Sequence, residues 1–151
     1  MLKPHYKNFN KTVVKRPKLF FYDSSLVCYL LGIRNAIQLE NHPLRGAIFE
    51  GMVVTELLKN RMNAGVPNNL FFWRDKTGRE VDIIIDNGDE LIPLEIKSGR
   101  TITTEYFKNI EYYKALSGSA NAILVYAGSQ VQNRSSGVRI VNWKNISKLL
   151  L

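Results

Sequence analysis

Between Arg79 and Ser98 the chain reads Arg79-Glu-Val-Asp-Ile-Ile-Ile-Asp-Asn-Gly-Asp-Glu-Leu-Ile-Pro-Leu-Glu-Ile-Lys-Ser98, and its acids and lysine alternate with apolar residues. Successive side chains of a β-strand point to opposite faces. The alternation therefore predicts Glu80, Asp82 and Ile84 on one side of a first strand, with Val81, Ile83 and Ile85 on the other. Glu95 and Lys97 share one side of the following strand, opposed to Leu94 and Ile96. If Gly88-Asp89 is a two-residue turn, or residues 87–90 a four-residue one, Asp82 lies across from Glu95 and Glu80 across from Lys97. If Asn87-Gly88 is the turn, the register slips by two and the same side chains still share a face. Only a three-residue loop would part Asp82 from Glu95 and Lys97.

Carboxylates directly opposed in an antiparallel pair have Cβ atoms ~4.5–5.5 Å apart, and at an effective dielectric of ~20 two unit charges at ~5 Å repel by about 3 kcal/mol. A shared proton, the Lys97 ammonium or a divalent cation would each relieve that repulsion. Two carboxylates with a lysine are also what metal-assisted phosphodiester hydrolysis needs. The acids hold Mg²⁺ or Mn²⁺, the metal polarises phosphate and water, and the lysine orients water or steadies developing charge. The competing account is an amphipathic hairpin with a solvated face and ordinary cross-strand ion pairs.

Glu50 bears on that choice from elsewhere in the chain. His42-Pro43 marks the start of a helix expected from about 44 to 62, closing at Gly65. On it Glu50 has Ala47, Val53, Val54 and Leu57 as its helical neighbours, an apolar stripe in which an unpaired carboxylate is costly, so it needs a partner or a metal. Glu56 lies about 240° around the helix beside Lys59 and Asn60, which predicts a solvated role.

The elements that must position these groups read as one α/β domain. Lys18-Leu-Phe-Phe-Tyr22 is a short aromatic strand-like run, Asp23 or Ser24 can cap a helix that stops at Gly32, and Asn35 to Glu40 add a turn or two of helix. Phe71–Arg74, Arg79–Asp86 and Leu91–Ser98 are expected as a three-stranded antiparallel meander. A helix over 103–116 and a buried strand over 122–127 follow, a crossover that favours a parallel pair. Residues 138–141 are expected as an edge strand and 145–151 as a terminal amphipathic helix, completing a mixed sheet flanked by helices.

At 151 residues the chain can bury a core without disulfides, and its 45% hydrophobic, 23% charged composition is that of a globular protein. No apolar run approaches a membrane span and no secretory signal is visible, so the expected compartment is the cytoplasm. Cys28, the single cysteine, reads as a small buried hydrophobe and rules out a thiolate zinc site; the chain has only two histidines, His5 and His42, so the expectation is that any metal is held by oxygen. The net charge of +8 suits a polyanion such as nucleic acid. Six basic residues (Lys3, Lys7, Lys11, Lys15, Arg16, Lys18) precede the first acid, however, and residues 1–17 read as a basic linker or severed end, with the domain spanning 18–151.

Taken in order, Lys18-Leu-Phe-Phe-Tyr-Asp23, Arg45-Gly-Ala-Ile-Phe-Glu50 running on to Glu56-Leu57, Phe72-Trp-Arg74, Glu80-Val-Asp82 and Leu94-Glu-Ile-Lys-Ser98 resemble the C-terminal domain, labelled as of unknown function, of a large group of bacterial and archaeal AAA+ ATPases. That domain is similar to the PD-(D/E)XK superfamily of restriction endonucleases and junction resolvases. The resemblance implies a restriction-endonuclease-like mixed sheet, with Glu50 as the supporting helix acid, Asp82 and Glu95 as metal-binding acids and Lys97 as the catalytic lysine. Glu80 and Ser98 match accompanying polar positions. The superfamily's proline before the first acid is Val81 here, and no ATP-binding G-x-x-x-x-G-K-S/T loop occurs, which implies a chain without the ATPase module.

The functional expectation is a Mg²⁺- or Mn²⁺-dependent nuclease domain acting on nucleic acid, DNA first. Arg74 would contact phosphate and Trp73 a base; equally, Trp73 can be core and Arg74 a partner for Glu80 or Glu95. The alternative is a catalytically silent nucleic-acid- or protein-binding module accessory to an ATPase. A third possibility is an interaction domain whose helix face presents Tyr106, Phe107, Tyr112 and Tyr113, although such aromatics more often build core.

Overall fold

A computed structural model describes residues 1–5 and 16–148. Its centre is a seven-stranded mixed sheet in the order β1-β2-β3-β4-β5-β7-β6, with β1 Lys3–Pro4, β2 Leu70–Arg74, β3 Glu80–Asp86, β4 Leu91–Lys97, β5 Ala122–Tyr126, β6 Gln132–Asn133 and β7 Val138–Asn142. The meander β2-β3-β4 is antiparallel, and β4, β5 and β7 run parallel, so both sequence expectations for the sheet hold. The strand β7 is not an edge: the two-residue β6 pairs antiparallel along its outer side.

Local chemistry places the helices. Asp23 accepts the Ser25 and Leu26 amides at 2.8 and 3.2 Å and starts α1, Ser24–Leu30. Asn35 caps α2, Ala36–Glu40, through the Gln38 amide at 2.9 Å. The long α3, Arg45–Asn63, lays Val53, Val54, Leu57 and Leu58 on one sheet face against Ile83, Ile85, Leu94, Ile96, Ile123 and Val125. A 3-10 turn, Thr104–Phe107, leads into α4, Lys108–Ser117, which ends at left-handed Gly118 and covers the other face. There Ile110 packs with Leu124 and Tyr126, and Tyr113 with Trp73, Val81 and Ile84. Tyr113 and Phe107 are thus core residues and Tyr106 and Tyr112 lean on core, so the four aromatics do not form a free docking face. The C-terminal helix is a 3-10 segment, Trp143–Lys148; residues 149–151 of that expectation lie outside the described residues.

Two corrections concern the N-terminal part. Leu2 is fully buried in the α3-side core, β1 pairs with β2, and Leu2 and Lys18 exchange backbone hydrogen bonds of 2.9 and 3.0 Å. The folded unit therefore takes in residues 1–5, ahead of the expected start at Lys18; residues 6–15 of the expected linker lie outside the described residues. Cys28 is half-buried rather than core, because α1 contributes no buried residue. Among the described residues no helix is long and apolar enough to cross a membrane.

Candidate metal and phosphate site

The register of β3 against β4 is the one that brings Asp82 level with Glu95. Asn87 donates to the Glu90 carbonyl at 3.0 Å around a turn of Gly88, with φ 88°, and Asp89, and Ile83 pairs with Leu94. Strict alternation fails within β3, however. Val81 and Ile84 both pack on the α4 side while Ile83 and Ile85 pack on the α3 side, so the break falls at Asp82. The cause is an irregularity in the pairing of β2 with β3, which shifts by one residue between Phe71 and Trp73.

This break determines which groups meet. Glu80 turns to the α3 side, where it faces Glu50. Past the pair Ile83–Leu94, the Asp82 carboxylate accepts the Ile96 backbone N–H at 2.8 Å and so fills the gap between β3 and β4. Oxygens of Glu50, Glu80 and Asp82 all lie within 4.8 Å of one another. Leu94 and Ile96 pack on the α3 side, so alternation sends Glu95 and Lys97 toward the other face. The flat shared face expected from sequence is thereby replaced by a cluster around the gap.

Lys18 supplies the partner that Glu50 required. Its Nζ lies 2.6 Å from Glu50 Oε1, also pairs with Glu80, and sits 5.7 Å from the ring centres of Phe20 and Phe72. Arg74 pairs with the second oxygen of Glu80, one of the two partners the sequence allowed. On the far side of Asp82, Lys97 Nζ lies 2.5 Å from Glu95 Oε1, while Glu95 Oε2 is buried without a hydrogen-bond partner among the described residues. Glu56 is half-buried and pairs with Lys59 at the helix surface, in keeping with its helical position.

Electrostatics follows from this crowding. Burial, then Glu95 and Glu50, push the Asp82 carboxyl well above the usual range against the Ile96 N–H and Lys97. Burial also raises Glu95, with Glu80 and Glu50 adding to it and Lys97 opposing it. For Lys18 and Lys97 burial works against the charge, but the neighbouring carboxylates outweigh it and both ammonium groups are held above their ordinary value. Four carboxyls, Glu50, Glu80, Asp82 and Glu95, thus crowd around three cationic side chains, Lys18, Arg74 and Lys97.

The remaining expected contacts divide. Trp73 is 1% exposed, packed edge-on against Tyr113, so it cannot stack on a base; its place opposite Val81 in the irregular pairing turns it inward. Ser98 gives its carbonyl to Arg45 Nη2 at 2.6 Å and its Oγ to Arg45 Nε at 3.4 Å. Arg45 and Ser98 lie 53 positions apart, and only the fold brings them together. Both line a cavity of about 760 Å³ with Phe49, Arg100 and Trp143.

The residues fit a hard divalent cation. The donors are carboxylate oxygens, and a buried oxygen of the neighbouring Glu95 has no hydrogen-bond partner among the described residues.

Comparison with known proteins gives a family. The domain described as "Domain of unknown function (DUF4143)" matches residues 45–146. The protein named "Uncharacterized protein Mb2031c" of Mycobacterium bovis is 30% identical over 127 residues, covering 84% of this chain and 27% of its own. The protein named "Uncharacterized protein Rv2008c" of Mycobacterium tuberculosis matches with the same identity and coverage. The chain thus spans about a quarter of the length of these curated relatives. No solved structure matches it.

Proposed function

We propose that this chain, which belongs to the DUF4143 family, is a PD-(D/E)XK-like, divalent-metal-dependent phosphodiesterase acting on nucleic acid, with DNA as the first candidate. The observation that carries this reading is the meeting of Glu50, Glu80 and Asp82 within one ion's reach, next to the Glu95–Lys97 pair. Mg²⁺ or Mn²⁺ bound there would supply a Lewis acid for phosphate oxygen and a more acidic water.

The chain's own groups do the rest. Glu50, Glu80 and Asp82 offer the oxygens, with Asp82 fixed by the Ile96 amide. Glu95 holds the Lys97 ammonium charged and beside the cluster, where it can donate to a phosphate oxygen as negative charge develops. The +8 net charge attracts a polyanion. Asp82 and Glu95 remain the proposed metal acids by resemblance; geometry favours Glu80 as the third ligand beside Glu50 and Asp82, with Glu95 anchoring Lys97.

The deciding experiment incubates the chain with single-stranded, duplex and branched DNA and with RNA, each with Mg²⁺, Mn²⁺ or EDTA, alongside Asp82→Asn and Lys97→Ala. Metal-dependent cleavage, lost in both variants while circular dichroism shows them folded, is expected. No cleavage of any substrate by the wild type rejects the enzyme for this chain.

One observation favours a second reading, an accessory binding module that serves an ATPase. Phe21, Tyr22, Leu26, Tyr29, Leu30 and Ile37 are all exposed on or around α1 and α2, an apolar surface of the kind that proteins cover with a partner. Under it, DNA binding survives Asp82→Asn and cleavage is absent throughout.

A further inference from the structure

Of the three residues whose oxygens come within one ion's reach, two are already engaged by a cation of the chain itself. Lys18 Nζ bonds Glu50 Oε1 at 2.6 Å and pairs with Glu80 Oε1. The Lys18 backbone is pinned by its two hydrogen bonds with Leu2, while its Nζ sits 5.7 Å from the ring centres of Phe20 and Phe72 and its side chain keeps 18% exposure. The anchor is thus fixed, and the charged end has both a carboxylate pair to hold and solvent to reach. Lys97 differs: it pairs with Glu95, outside the three-residue cluster.

An ammonium and a divalent cation cannot share the same two carboxylate oxygens. An ammonium bridging Glu50 and Glu80 and a divalent cation held by the same two side chains would stand a few ångströms apart and repel strongly in a partly buried setting. We infer that Lys18 is the resident counterion of the acid cluster: it occupies the Glu50–Glu80 pair when no divalent ion is bound and must swing out for the ion to enter. This inference rests on the metal-site reading above. The exchange makes Lys18 a determinant of metal affinity, since each ion that binds must displace an ion pair already formed. It also keeps the two glutamates from repelling each other in the metal-free protein.

The test titrates the full chain with Mn²⁺ by calorimetry, comparing wild type with Lys18→Met, whose side chain keeps a similar length without the charge, and with Lys97→Met as the control for removing a nearby positive charge. Lys18→Met is expected to bind Mn²⁺ about tenfold tighter than wild type and clearly tighter than Lys97→Met. Equal tightening in both variants reduces the effect to general charge and overturns the inference. Unchanged or weaker binding in Lys18→Met also overturns it, while wild-type binding leaves the metal site standing. Absence of Mn²⁺ binding in every protein rejects the metal site and the inference together.

A second measurement needs no variant. Acetic anhydride labelling of the wild type, read by mass spectrometry, should increase severalfold at Lys18 when Mn²⁺ is added. Labelling of Lys18 that stays constant at saturating Mn²⁺ contradicts the exchange even where Lys18→Met does not fold.

Discussion

The Asp82 carboxylate accepts the Ile96 backbone N–H at 2.8 Å, across the gap where β3 and β4 stop pairing. A side chain held this way is fixed by the sheet itself. It is also buried among Glu95 and Glu50, so its fixed position costs stability whenever it is ionised without a cation.

Burial and the two glutamates raise the Asp82 pKa above its unfolded value. The stabilising contribution of such a group is complete below the ordinary carboxylate range and is lost as pH rises through the folded value. Asp82→Asn keeps an oxygen for the Ile96 amide and removes the charge. In EDTA it should melt about 3 °C above wild type at pH 8, and the difference should vanish near pH 4. Thermal melts by circular dichroism read this directly; an Asn variant less stable than wild type at pH 8 would refute the electrostatic account.

The Glu95 side chain is only 3% exposed and rests on Lys97. Removing the lysine leaves a buried carboxylate without its counter-charge, so Lys97→Met should cost about 3 kcal/mol in urea denaturation at pH 7. Combining it with Glu95→Gln removes both charges and should recover most of that loss. If the double variant is as unstable as Lys97→Met alone, the pair is not the source of the cost.

Leu2 is buried against the core beneath α3 although fifteen residues of chain separate it from Lys18, its backbone partner. Leu2→Ala should therefore destabilise by about 3 kcal/mol, as a core truncation does and a linker substitution does not. An unchanged urea midpoint would return the N-terminal residues to the status of a tail.

Legibility followed the range of the interactions. Turn chemistry around Gly88 limited the β3–β4 register to two choices, and the capping chemistry at Asp23 marked a helix start, because each depends on residues a few positions apart. The requirement for a partner at Glu50 could be read from the apolar stripe around it. That the partner is Lys18 could not, since it lies 32 positions away and offered no periodic signal. Trp73 was ambiguous for a related reason: which way it points depends on the one-residue shift between β2 and β3, a property of two strands together.

The sequence by itself determined an α/β chain with a mixed sheet, an acid-rich hairpin limited to two registers and a helix acid in need of a counter-charge, because hydrophobic period and turn residues are local. Only the tertiary structure decided which acids share an ion's reach, that Asp82 sits in the strand gap, that Glu95 belongs to Lys97 and that Lys18 stands at the Glu50–Glu80 pair. Those relations are set by a strand irregularity and by packing between distant segments, where a shift of one residue redirects every side chain beyond it.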